Sequence, residues 1–293
     1  MTTKDKVWVG FDLGGTKMYA TVFDQSFTLI GSARVPTQGY AGQTKGLKRM
    51  ISTVNDALKD AGVNAKQVGA IGVGCPGPID LKKGMLMEAP NLGWSKVPVS
   101  QQMGEAFDCP VTLMNDVDAG VFGESRFGAG KGDRCLLGIF PGTGIGAGCV
   151  YDGAVFHGTR NTCMELGHLR MQPGKSLEQV ASRLAIASDA AAAAYRGEAP
   201  WLMENVGTDL REIKSKTLKK SIKAGDEAVE KIVRTAARTV GEAAGYMVNL
   251  IAPDRIMLGG GLVEALGDLY LEEVEKAARK SCMPTYRNGF KVS

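Results

Sequence analysis

Apolar and polar residues alternate with a period of two at the start of the chain. Val7 and Val9 alternate with Trp8 and Gly10, and Tyr19, Thr21 and Phe23 alternate with Ala20 and Val22. Both runs are rich in β-branched and aromatic residues, so they predict two strands. Phe27 to Val35 predicts a third. The period then lengthens. Leu47, Met50, Ile51, Val54 and Leu58 recur at spacings of three and four, which predicts a helix over 46–61 that stops at Gly62. Val68 to Gly74 reads as a buried strand running into the stiff turn Cys75-Pro76-Gly77-Pro78. A helix over 99–107, a strand over 111–114 and a helix over 118–127 follow, closed by Gly128 to Gly132. Strands interleaved with helices in this order predict a mixed α/β protein.

The second part repeats the first. Leu137 to Asp152 reads LGIFPGTGIGAGCVYD and matches the opening stretch at an offset of 128 residues. Gly10 matches Gly138, Gly14 matches Gly142, Val22 matches Val150, Phe23 matches Tyr151 and Asp24 matches Asp152. A strand, glycine turn and strand thus occur once per half, as expected of two related domains facing one nucleotide. Beyond Ser182 the chain is mainly helical. Val229, Ile232, Val233, Ala236, Val240, Ala244, Met247, Val248 and Ile251 form one apolar stripe over 226–251, which Pro253 ends. Arg255 to Leu258 predicts a strand, and Gly259-Gly260-Gly261 opens a final helix. A chain of 293 residues also exceeds what one core usually supports. The expected division is a small α/β domain over 1–115 and a larger one over 116–293.

Composition narrows the classes. The net charge is +4, and its one dense basic cluster, Arg211 to Lys223, reads as a solvated helix face, so no nucleic-acid partner is expected. The six cysteines form no CxxC pair and sit mostly in apolar runs, as thiols do in a reducing compartment. No apolar leader and no membrane-length apolar run is present, so a cytoplasmic protein with no membrane contact is expected.

The glycine turns carry the candidate chemistry. In Asp12-Leu13-Gly14-Gly15-Thr16-Lys17 two glycines bare the backbone N–H groups, an arrangement that cradles anions. Thr16 adds a hydroxyl. Lys17 touches phosphate or faces solvent; the sequence leaves both open. Asp12, at a strand end, suits a Mg²⁺ held through water. Gly142-Thr143-Gly144 has neither the dinucleotide-binding spacing nor a P-loop lysine, and a strand rather than a helix follows it. Three glycines at 259–261 let a flat ring or a phosphate approach the main chain. Asn115-Asp116 closes a strand, where open α/β sheets place their ligands. Asp116 is either a general base or a residue that only caps the helix from Asp118 or pairs with a lysine. Asn91 lies in a loop that offers it to a hydroxyl, while the neighbouring Trp94 packs. His157 has no such context and reads as structural.

As an ordered set these residues resemble the ROK family of sugar kinases and related repressors. Asp12 to Lys17 looks like that family's first phosphate motif, Gly142-Thr143-Gly144 like its second and Gly259-Gly260-Gly261 like its adenosine motif. Asn115-Asp116 looks like the sugar-binding and catalytic pair. Glu165-x-Gly167-His168 looks like the sugar-contacting signature, and Glu178 like a further sugar-contacting glutamate, though a charge at a helix start would also explain it. The resemblance implies a two-domain actin/hexokinase-like (ribonuclease H-like) α/β fold with an interdomain cleft that closes over ATP and sugar. It also implies Mg²⁺-dependent phosphorylation of a hexose, glucose first among them, and a homodimer. No helix-turn-helix precedes the first strand, so a repressor is not expected.

Three departures from the pattern stand out. Met171 to Ser176 lacks the family's cysteines between His168 and Glu178, so no structural zinc is expected: either the site is lost or the sequence lacks residues there. Thr162-Cys163-Met164 replaces small residues and glycine before Glu165, which alters the expected sugar pocket. The chain ends at Lys291-Val292-Ser293, where the resemblance implies a further strand and helix, so a longer natural chain is expected.

Overall fold

A computed structural model describes residues 6–159 and 163–293. Thr162, one of the residues before the sugar signature, lies outside this set. The chain divides after Ala119 into two compact units. The second takes Gly120–His157 and Cys163–Ser293, and the first takes the residues before Gly120 with a short segment after His157.

The first unit opens with three strands, β1 (Val7–Leu13), β2 (Lys17–Phe23) and β3 (Leu29–Pro36), followed by α1 (Gln43–Asp60) and β4 (Val68–Cys75). Three short strands come next, β5 (Ile79–Asp80), β6 (Met85–Ala89) and β7 (Trp94–Val97). α2 (Val99–Phe107) and β8 (Val111–Asn115) follow, and α3 (Asp116–Phe127) begins in this unit and continues in the second from Gly120. The main sheet has the order β3-β2-β1-β4-β8. Its first three strands are antiparallel, and β4 and β8 run parallel to β1. Alternation buries Val9, Phe11, Leu13, Met18, Ala20 and Val22 beneath Met50, Val54 and Leu58 of α1. α1 ends in the expected glycine cap. Gly62 has φ +68°, its N–H donates to Lys59 O, and the Val63 N–H donates to Leu58 O at 3.0 Å. β5 to β7 form a small separate sheet. It seats the fully enclosed ring of Trp94 against Gly46 of α1, and the Trp94 indole N–H donates to Gly39 O at 3.1 Å.

The second unit repeats this plan. β9 (Cys135–Pro141), β10 (Ile145–Tyr151) and β11 (Ala154–Val155) lead into the hairpin β12 (Arg170–Gln172) and β13 (Lys175–Ser176). The helices α4 (Leu177–Ala181), α5 (Arg183–Tyr195), α6 (Pro200–Asn205), α7 (Ser215–Lys223) and α8 (Glu227–Ile251) follow. β14 (Arg255–Leu258), α9 (Gly261–Leu266), α10 (Asp268–Ser281) and β15 (Lys291–Val292) close the chain. The main sheet runs β11-β10-β9-β14-β15, an antiparallel hairpin extended by parallel strands as in the first unit. The expected apolar stripe of α8 is buried in one core cluster with residues of this sheet, and Gly241 and Gly245 let α10 approach so closely that a Cβ on either would meet Val274 O or Ala278 O. Among the described residues no helix is long and apolar enough to cross a membrane.

The duplicated hairpins differ in one respect. β1 and β9, and β2 and β10, start and end at the same offset of 128 residues. Gly10 pairs with Thr21, but Gly138 pairs with Gly148, one residue nearer the turn than that offset places it. The second turn is correspondingly shorter, with Pro141 facing Ile145 where Leu13 faces Met18.

Candidate active site

In the first unit the carboxyl ends of the parallel strands β1, β4 and β8 lie side by side. Asp12 pairs with Gly74, and Cys75 with Asn115. Gly74 lies beside the chain beyond β8: a Cβ there would be in ordinary contact with Asp116 Cα, at 3.7 Å. Asp12 and Asp116 therefore both lie beside one glycine, and Asp12 feels the Asp116 charge. Partial desolvation, and then the Asp116 charge, raise the Asp12 pKa above the ordinary carboxylate range, against the pull of Arg34. Burial, with a further push from Asp116, lifts the Cys75 thiol to about 12, so it stays a protonated packing group at neutral pH.

Asn115 caps α3. Its Oδ1 accepts the Val117 N–H at 2.9 Å and the Asp118 N–H at 3.3 Å. With that oxygen committed, Asn115 presents its amide NH₂ to a ligand. Asp116, expected to end the strand, is instead the first residue of α3. It is exposed, and its Oδ1 shares the Val117 N–H at 3.0 Å. Among the described residues its second oxygen has no partner. Both readings of Asp116 thus keep a structural footing: one oxygen assists the cap and the other is available for chemistry.

The first glycine turn is held from behind. The Gly14 N–H donates to Lys17 O at 3.0 Å, while buried Thr37 donates its hydroxyl to Gly14 O at 2.7 Å and its N–H to Thr16 O at 2.9 Å. The first of these bonds takes up the Gly14 N–H, which was expected to be bare for an anion, because the tight turn closes on it; the others consume carbonyls and leave Gly15, Thr16 and Lys17 exposed. The single helical turn Pro90–Leu92 sets Asn91 beside this loop, 3.6 Å from where a Cβ on Gly15 would lie. The structure thus gathers Asp12, Gly14, Gly15, Thr16, Asn91, Asn115 and Asp116 onto one unit.

In the second unit β9 and β14 are neighbouring parallel strands, which sets Gly142-Thr143-Gly144 beside Gly259-Gly260-Gly261. The Gly259 N–H donates to Ile139 O, and Gly260, at φ +90°, lies where a Cβ would come within 3.2 Å of Pro141 O. Gly259 also passes over the Phe140 ring at a distance that no side chain would permit. The second turn is tight, its Gly142 N–H donating to Gly144 O at 2.7 Å. Glu178, in the first turn of α4, reaches it: Oε2 accepts the Ile145 N–H at 2.9 Å. One oxygen of the expected sugar-contacting glutamate is therefore bound to main chain.

Glu165 precedes and His168 closes a single 3₁₀ turn, Leu166–His168, and both are exposed. Met164 before them adopts the left-handed conformation at φ +58°, a geometry that glycine takes freely and a methionine does not. An apolar cavity of about 200 Å³ opens beside Glu165, lined by Leu137, Ala147, Met164, Leu166, Leu169 and Met247. In place of the zinc loop the chain turns through Pro173-Gly174, the Gln172–Lys175 pair closing the hairpin that leads into Glu178. Among the described residues no three His, Cys, Asp or Glu side chains cluster to hold a metal.

Sequence reading missed Arg183. Its main-chain N–H donates to Gly142 O at 2.8 Å and its Nη2 donates to Thr143 Oγ1 at 2.9 Å. No local pattern betrays a contact that spans 40 residues of chain.

The sequence pattern of the ROK family matches residues 8–289. The chain belongs to the ROK family. A glucokinase of Streptomyces coelicolor is 28% identical over 285 residues, covering 93% of this chain and 87% of its own. Among solved structures, a ROK hexokinase from Thermus thermophilus is 31% identical, with a TM-score of 0.79 over 98% of this chain and 92% of its own. A ROK family glucokinase from Streptomyces griseus, solved in complex with glucose and AMPPNP, is 27% identical, with a TM-score of 0.82 over 98% and 93%. The ROK chain described here accordingly has the two-domain actin/hexokinase-like α/β fold.

Proposed function

We propose that this ROK protein is an ATP-dependent sugar kinase that phosphorylates a hexose, the 6-hydroxyl of glucose being its acceptor. The reading is carried by the first unit, where an exposed glycine turn lies near Asp12 at the end of β1 and Asp116 at the start of α3, whose charge Asp12 feels. The glucokinases among its relatives support the choice of sugar.

Asp116 takes the proton of the sugar hydroxyl through its unpartnered oxygen. The sugar oxygen forms its bond to the γ-phosphorus as the bond to the β,γ-bridging oxygen breaks, and ADP leaves with that electron pair. Such transition states are loose, so positioning and charge neutralisation supply most of the acceleration. The Asn115 amide donates to a sugar oxygen, and Asn91, Glu165, His168 and the second oxygen of Glu178 bind further hydroxyls. Gly14, Gly15, Thr16 and Lys17 with Gly142, Thr143 and Gly144 hold phosphates, and Gly259, Gly260 and Gly261 face the adenosine. The donor set at Asp12 fits a hydrated Mg²⁺. It is an exposed carboxylate facing a second negative charge, and a divalent cation removes the repulsion between them. Asp12 would hold that ion through water, and the ion would neutralise phosphate charge.

ADP release with Mg-ATP over a panel of hexoses tests this, with Asp116→Ala beside the wild type. Turnover with glucose that the variant loses is the expected result. Turnover with a different hexose reassigns the substrate. A sugar that raises the melting temperature without any ADP release replaces the kinase with a binding protein.

A further inference from the structure

Arg183 is the first residue of α5, and its guanidinium, in an exposed hydrogen bond, stands on the second glycine turn. Its position runs against helix electrostatics. The first turn of a helix favours anions, and α5 has no acidic residue there, only this cation. No carboxylate pairs with Arg183 among the described residues. On the same turn Glu178 already sets a negative charge against the Ile145 N–H, which would repel a phosphate arriving at Gly144. A cation that forgoes an ion pair, opposes its own helix and leans on a glycine turn has an anion as its natural complement.

We propose that Arg183 is a ligand of the donor's terminal phosphates. Its Nε and Nη1 N–H groups complete, with the Thr143 hydroxyl and the Thr143 and Gly144 main-chain amides, a site that offsets the Glu178 charge. Because Thr143 Oγ1 accepts from Nη2, its own proton is directed away from the arginine and can be given to a phosphate oxygen. The inference rests on the kinase reading for the identity of the ligand and on the turn itself for the site.

The test compares Arg183→Ala, Arg183→Lys and Arg183→Gln in the full chain. Calorimetry measures binding of ADP and of inorganic tripolyphosphate at two salt concentrations, and steady-state kinetics gives KM for ATP and for the hexose. The Ala variant is expected to weaken ADP and tripolyphosphate binding and raise KM for ATP by about tenfold to a hundredfold, the range of a charged hydrogen bond. KM for the hexose stays within about twofold, and the salt dependence of ADP binding becomes shallower. Lys, which keeps the charge, restores part of the affinity. Gln, which can still donate to Thr143, does not. Unchanged ADP affinity in the Ala variant overturns the proposal. So does full rescue by Gln, which would make Arg183 a brace for Thr143 alone. Arg183-dependent ADP binding in a wild type that turns over no hexose supports this inference and sinks the kinase reading. Hexose turnover indifferent to Arg183 does the reverse.

Discussion

Glu178 Oε2 accepts the Ile145 N–H at 2.9 Å and fills the space a side chain on Gly144 would need, 2.3 Å from its Cβ. A glutamate of α4 thus shapes the second glycine turn. Glu178→Gln keeps an acceptor and should leave the melting temperature nearly unchanged. Glu178→Ala strands a partly buried N–H and should cost about 1–3 kcal/mol in chemical denaturation. The Gln variant also reads the other oxygen. A rise in sugar KM of about tenfold assigns Oε1 to a hydroxyl, and an unchanged KM confines Glu178 to the turn.

Asn115 and Asp116 share the start of α3 but divide the labour. Asn115→Ala removes the principal cap and should lower stability by about 0.5–2 kcal/mol. Asp116→Asn keeps an acceptor for Val117 and should hold stability within about 1 kcal/mol while cutting kcat by about 10²–10⁴-fold. A kcat within a factor of ten of wild type would remove the general-base role.

Asp12 gives the ligand-free protein a signature in pH. Its pKa is raised on folding, so its contribution favours the folded state when protonated, at low pH, and is lost as pH rises through the folded-state value. At neutral pH the charged Asp12 is a liability. Asp12→Asn should therefore raise the melting temperature of the ligand-free protein at pH 7. The advantage over wild type should shrink as pH falls through the carboxylate range, while Mg-nucleotide binding is lost. A neutral-pH melting temperature below wild type would contradict the electrostatic account.

Gly46 sits inside α1, where alanine would ordinarily stabilise a helix by about 1 kcal/mol. Here a Cβ would lie 2.0 Å from the Trp94 ring. Gly46→Ala should therefore reverse the usual sign and destabilise by about 1–3 kcal/mol. Paired with Trp94→Phe it should recover part of that loss, a coupling that a double-mutant cycle measures.

The strands and turns around Asp12 and Gly142 were legible because alternation and glycine are local signals. So was α8, whose stripe runs for seven turns' worth of consistent spacing. The sheet of β5 to β7 was not, since strands of two to five residues carry too few positions to show a period. Asp116 was placed at a strand end because it follows Leu113 and Met114, yet the Asn115 cap draws it into α3. The role of Glu178 on the turn and the presence of Arg183 depend on contacts across 33 and 40 residues, which no window of sequence reveals.

The one-residue slip between the two hairpins means that the halves are not interchangeable cassettes. In β2 the inward residues are Met18, Ala20 and Val22, and Lys17 stays outside. In β10 the slip reverses the strand, so that Ile145 and Ala147, the counterparts of Lys17 and Tyr19, enter the helix-covered core. Placing the β2 sequence in the register of β10 would thus bury a lysine. β10 itself carries no lysine or arginine, and the cation on its turn, Arg183, comes from α5 instead.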